Sequence, residues 1–153
     1  MGKDDVDCAP AMKRVLGIDL GSRRIGVALS DGLGLTAQPR TMIARHGGVR
    51  DLDAIAAEVK ATGASRIVLG LPLDPEGLEG PAALRARAFA DKLQAALAVP
   101  VDLIDESFST VEAEIPLLAA DVSRAKRKQV VDKLAAAVIL QRWLDTHRRE
   151  MAQ

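Results

Sequence analysis

The chain has 153 residues, the length of one domain with a single sizeable core. Hydrophobic residues make up 48% and charged residues 27%, a globular balance that excludes a disordered or membrane-embedded chain. Lys plus Arg and Asp plus Glu both number 21, so a nucleic-acid partner would have to be held by local patches rather than global charge.

Met1 to Met12 is polar and unpatterned and reads as a disordered tail (residues 1–12), followed by one domain over 13–148 and a C-terminal tail, 149–153. Arg14 to Leu20 and Ile25 to Ser30 are rich in Val, Ile and Leu and read as strands, with Gly21 to Arg24 as a hairpin link. Thr36 to Ile43 is a third strand, and Pro39 inside it assigns it to a sheet edge. The spacing of Leu52, Ile55, Ala56 and Val59 predicts a helix over Asp51 to Thr62, ended by Gly63. Arg66 to Leu71 is a short, continuous apolar run of the buried parallel kind. Pro72 to Pro81 reads as a loop. Ala82 to Ala98 reads as a helix with Leu84, Phe89, Leu93 and Leu97 on its apolar side. Val101 to Ile104 is the next strand. Thr110 to Ala120, with Ser109 as N-cap, and a segment from Ser123 to about His147 read as the last helices. The order β-β-β-α-β-α-β-α-α predicts an α/β domain with a mixed sheet: a three-strand meander, then parallel strands reached by crossovers.

Three carboxylates stand out. Asp19 lies near the carboxyl end of the first strand, the edge where open α/β sheets gather ligands. It reads as a turn cap for Gly21 or as a site residue. Glu106 follows the apolar run Val101 to Ile104. Because successive strand side chains face opposite ways, only one of Asp105 and Glu106 can face a given site. The pair can equally begin a polar loop. At 3.6 residues per turn Asp132 shares a stripe with Ala135, Ala136, Ile139 and Trp143, whose two alanines allow close approach to the sheet. The alternative is that Asp132 caps a helix starting at Lys133. Two strand ends and one helix can bring these three carboxylates together. Their mutual repulsion would then be relieved by one or two hard cations, Mg²⁺ or Mn²⁺. Two such ions can activate a water and stabilise the leaving oxygen of a phosphodiester. His46 and His147 both sit in polar context and read as solvated surface residues rather than zinc ligands.

The stretch Gly17-Ile18-Asp19-Leu20-Gly21-Ser22 through Asp31 resembles the first motif of the YqgF family, RNase H-like proteins described as Holliday-junction resolvases and pre-16S rRNA nucleases. Further matches are Val68 to Leu73 with Gly77 and Gly80, Arg87 to Ala90, Asp105-Glu106 with Ser109 to Ala113, and Lys126-Arg127-Lys128 leading to Val131-Asp132-Lys133-Leu134-Ala135-Ala136. The resemblance spans about Arg14 to Asp145. It implies an RNase H-like fold with a five-stranded mixed sheet, three antiparallel strands then two parallel ones, flanked by helices. It implies Asp19, Glu106 and Asp132 as the catalytic, metal-binding set of a metal-dependent phosphodiesterase that trims the 5′ end of precursor 16S rRNA. Cleavage of branched DNA junctions and metal-free binding of structured RNA are the alternatives. Partners would be precursor rRNA and the ribosome or its precursors, with no membrane. Family members often carry Arg directly after the Asp-Glu pair, where this chain has Ser107 and Phe108.

Lys126, Arg127 and Lys128, with Arg124, form the densest basic cluster, just before Asp132. They read as a lead for a phosphate backbone or as a solvated helix end. Ser22, Arg23 and Arg24 on the turn after Asp19 are further candidate phosphate contacts, or ordinary residues of a hairpin turn. Trp143, the only Trp, falls on the buried stripe and reads as core rather than a base-stacking platform. Asp19-Leu20-Gly21-Ser22 also resembles the first phosphate loop of the actin, sugar kinase and Hsp70 group, which needs two such domains facing a cleft. One cysteine, Cys8, excludes an intramolecular disulfide framework, and no apolar run is long enough to cross a bilayer, so a cytoplasmic location is expected.

Overall fold

The computed structural model describes residues 14–107 and 134–147. Five strands form one sheet: β1 (Val15–Leu20), β2 (Arg24–Ser30), β3 (Ala37–Ala44), β4 (Arg66–Leu73) and β5 (Val101–Ser107). Two helices join them, α1 (Gly48–Thr62) and α2 (Pro81–Leu97), and a third, α3, spans 134–147. The strand order is β3-β2-β1-β4-β5, with β1–β2 and β2–β3 antiparallel and β1–β4 and β4–β5 parallel. This is the mixed sheet expected from the sequence. β3 is an edge strand, as Pro39 requires, and the ladder shifts register between Val27 and Ala28 opposite Thr41 and Pro39.

The pleat divides the apolar residues between two cores. Leu16 and Ile18 of β1, Ile25 and Val27 of β2, and Ile67, Leu69 and Leu71 of β4 face α1 and α2. There they meet Ile55, Ala83, Ala86, Phe89, Ala90 and Leu93. Val15, Ala28 and Val68 face the other way, onto Ala136, Ile139, Leu140, Trp143 and Leu144 of α3. The expected Ala136–Ile139–Trp143 stripe is therefore the packed face of α3, and Trp143 is core, with its Nε1–H donated to Asp102 at 3.1 Å.

The alanines alone do not bring α3 onto the sheet. A Cβ on Gly17 would lie 2.6 Å from Leu140 Cβ and 3.1 Å from the Ala136 carbonyl oxygen; a Cβ on Gly70 would lie 2.6 Å from Ile139 Cδ1. The helix thus rests on two side-chain-free positions of neighbouring strands, one on β1 and one on β4.

Several element bounds differ from expectation. α1 starts three residues earlier, at Gly48, because the buried carboxylate of Asp51 accepts the N–H groups of His46 and Gly47 and so secures the helix entry. β4 continues through Pro72 to Leu73 and β5 through Asp105 and Glu106 to Ser107, since the two strands stay paired to the Leu73–Ser107 register. Leu84 is exposed, and the buried face of α2 is built on Ala83, Ala86, Phe89, Ala90 and Leu93 instead. His147 is half-buried rather than fully solvated: its ring stacks on Trp143 with centroids 3.8 Å apart. The expected helix at Thr110 to Ala120, the Ser109 and Ser123 caps and both tails lie outside the described residues. No helix among the described residues is long and apolar enough to cross a membrane.

Candidate active site

Asp19 is flanked along β1 by Ile18 and Leu20, both packed toward α1 and α2. Strand alternation therefore turns Asp19 to the opposite face, the one that α3 covers. Its antiparallel partner on β2 is Gly26. On the other side the β1–β4 register runs to Ile18–Leu69, so the next residue of β4, Gly70, lies level with Asp19. Gly26 and Gly70 are thus the positions directly across from it on the two neighbouring strands, and Ile139 of α3 lies over Gly70. The following turn is closed by the Gly21 N–H donating to the Arg24 carbonyl at 2.9 Å, so the hairpin expected here forms.

Glu106 lies on β5, two strands from β1 and so about 10 Å away laterally, in register with Pro72 of β4. The pleat resolves the Asp105–Glu106 ambiguity. Ile104 belongs to the α3-side core and Asp102 bonds Trp143 of α3, so Glu106 shares their face. Glu106 is 4% exposed. Its Oε2 accepts a bond from Arg142 Nη1 of α3 at 2.5 Å. Asp105 takes the other face, exposed, on the side of Arg87 of α2. The Arg87 guanidinium is held charged chiefly by its bidentate pair with Glu79, and the field of Asp105 adds to this. Asp19 and Glu106 therefore occupy the same face of the sheet, at the carboxyl ends of parallel strands β1 and β5.

Asp132, Arg124, Lys126, Arg127 and Lys128 lie outside the described residues. Among the described residues there is no group of three His, Cys, Asp or Glu side chains able to hold a metal. Of the three candidate carboxylates, the two that are described, Asp19 half-buried and Glu106 buried, are hard oxygen donors and suit Mg²⁺ or Mn²⁺ in type. Ser22 and Arg23 are exposed on the hairpin turn at the Asp19 edge.

Arg142 gave no signal in the sequence, and Arg24 and Arg45 gave only weak ones. Arg142 reaches Glu106 from a helix 36 positions later. Arg24 opens β2 half-buried, and since Ile25 faces α1 and α2, it shares the α3 face with Asp19. Arg45 braces the turn after Asp19: its Nη1 donates to the Gly21 carbonyl at 2.9 Å, its Nε lies 3.4 Å from Asp51 Oδ2, and its backbone N–H donates to the Arg23 carbonyl at 2.9 Å. Burial pushes the Asp51 carboxyl up, but the bonds from His46, Gly47 and Arg45 outweigh this and hold it below the usual carboxylate range.

Comparison with known proteins agrees with this architecture. A family model described as "RuvX: Holliday junction resolvase" matches residues 13–146. A Myxococcus xanthus protein named "Putative pre-16S rRNA nuclease" is 53% identical over 135 residues, covering 88% of this chain and 89% of the relative. A Pelotomaculum thermopropionicum protein of the same name is 50% identical over 137 residues, covering 89% of each. Among solved structures, T. thermophilus RuvC in complex with Holliday junction substrate superposes with a TM-score of 0.57 at 15% identity, over 90% of this chain and 97% of that one. The Fowlpox virus resolvase in complex with its Holliday junction DNA does so with a TM-score of 0.51 at 8% identity, over 88% of this chain and 98% of that one. These likenesses identify the fold as RNase H-like. With the family model spanning nearly the whole chain and relatives at about half identity along it, the protein belongs to the RuvX family.

Proposed function

We propose that this protein is a metal-dependent phosphodiesterase that trims structured RNA, with the 5′ end of precursor 16S rRNA as its substrate, in the cytoplasm. The observation that carries the reading is the position of Asp19 and Glu106 on one face at the carboxyl ends of β1 and β5. Relatives at about half identity named as pre-16S rRNA nucleases support RNA as substrate class.

Asp19, Glu106 and Asp132 would hold one or two Mg²⁺ or Mn²⁺ ions, which supply water activation and stabilise the leaving oxygen. Burial of Glu106 lowers the local dielectric and strengthens its field on a cation. Ser22 and Arg23 on the turn, with Arg124, Lys126, Arg127 and Lys128, would grip the backbone phosphates.

Asp19→Asn, Glu106→Gln and Asp132→Asn each preserve shape and remove an oxygen anion. Each is expected to lower cleavage of a precursor 16S rRNA 5′ leader by at least about a hundredfold, in the range of losing one electrostatic stabiliser, with near-native circular dichroism. EDTA should stop the wild type and Mg²⁺ restore it. Full activity of any of the three variants would remove that residue from the set. RNA binding with no Mg²⁺-dependent cleavage by the wild type would favour a binding factor. The family description supports a second substrate, branched DNA. Cleavage of a four-way DNA junction but not of the RNA leader would select it.

A further inference from the structure

Glu106 is a buried anion whose Arg142 partner comes from a different layer of the fold. A carboxylate at 5% side-chain exposure cannot remain charged without a cation beside it. The described residues provide one in the Arg142 guanidinium, 2.5 Å from Oε2. Arg142 itself is 30% exposed, so its head group has a path to solvent if it leaves Glu106. The backbone under it has no such freedom. α3 is fixed to β5 by the Trp143–Asp102 bond and to β1 and β4 by its contacts over Gly17 and Gly70.

We propose that the Arg142 guanidinium and a divalent cation are alternative counter-ions of Glu106. Arg142 balances the charge of the metal-free site and sets how much cation is needed to fill it. The proposal rests on the metal-site reading above. A cation held by Glu106 would share one carboxylate with a guanidinium, and like charges that close repel strongly inside a low-dielectric layer. Filling the site therefore requires the guanidinium to withdraw, and this exchange moves one side chain while the helix stays fixed. Arg142 is a positioning residue: it acts through Glu106, and no contact with substrate is asked of it.

The test titrates Mn²⁺ into the full-length wild type, Arg142→Gln and Arg142→Lys, read by calorimetry and by the rise in thermal midpoint. Removing the competitor should lower the Mn²⁺ midpoint of Arg142→Gln about tenfold, a typical size for coupling between two binding events. It should also enlarge the thermal shift at a given Mn²⁺ concentration, because tighter binding to the native state stabilises it further. Arg142→Lys keeps the charge and should stay within about threefold of wild type by the same coupling argument. A Mn²⁺ midpoint in Arg142→Gln equal to or above wild type would overturn the proposal and leave Arg142 a structural partner. If the wild type itself binds no Mn²⁺, the metal-site reading fails first and takes the proposal with it. Should Arg142→Gln not fold, the wild type decides: the Arg142 side-chain Nε–H signal in a ¹⁵N NMR titration with Mg²⁺ should move with the same midpoint as metal binding. An unmoved signal at saturating Mg²⁺ would refute the exchange.

Discussion

Asp51 illustrates how one buried carboxylate sets a loop at a distance from the candidate site. It accepts from His46 and Gly47 and pairs with Arg45, and Arg45 in turn holds the Gly21 carbonyl of the turn after Asp19. Because the native carboxyl titrates below its unfolded value, its stabilisation is complete above the unfolded pKa, about 3.9, and is lost as pH falls through the lower native value. Asp51→Asn removes the charge and should cost about 1–3 kcal/mol at neutral pH. The variant should also show a flatter acid limb when urea unfolding is followed from pH 6 to pH 2. Parallel pH curves for the two proteins would contradict this. Little of it was legible beforehand: Asp51 marked a helix start, but its link to Gly21 runs through Arg45, 24 positions from that carbonyl.

At the scale of elements, the close approach of α3 depends on what the sheet lacks. Gly17 faces Leu140 Cβ and a backbone carbonyl, neither of which can swing aside, whereas Gly70 faces the flexible tip of Ile139. Gly17→Ala should therefore destabilise by about 1–3 kcal/mol through overpacking, and Gly70→Ala by less. Pairing Gly70→Ala with Ile139→Val removes the offending methyl and should recover part of that loss. Denaturant midpoints of the four proteins give the ranking, and equal losses at Gly17 and Gly70 would speak against it. The stripe on α3 was readable from its 3.6-residue spacing. The strand glycines were not, since a glycine in an apolar run gives no hint of which helix will lie across it. The last strand was read three residues short for a related reason. Asp105, Glu106 and Ser107 look like loop in composition, yet parallel pairing with Leu71, Pro72 and Leu73 keeps them extended.

Across the whole molecule, one sheet divides two cores and belongs to both. β1 alone gives Leu16 and Ile18 to one side and Val15 to the other. Neither core can open without exposing the shared strands, so unfolding should be a single cooperative transition. Trp143, the only Trp, reports the α3 side, while far-UV circular dichroism reports the whole fold. Their urea transitions are expected to coincide; a Trp143 transition at clearly lower urea would mean that the α3 layer detaches alone. The sequence by itself determined the element order as far as β5, the edge position of the Pro39 strand and the carboxylates at the strand ends. Those follow from local periodicity, from proline's missing donor and from the alternation of a single chain. Only the tertiary structure decided that Glu106 rather than Asp105 shares a face with Asp19, that Asp19 stands between Gly26 and Gly70, and that Arg142 neutralises Glu106. Each of these depends on which strands become neighbours and in what register, a matter of contacts between residues far apart in the chain.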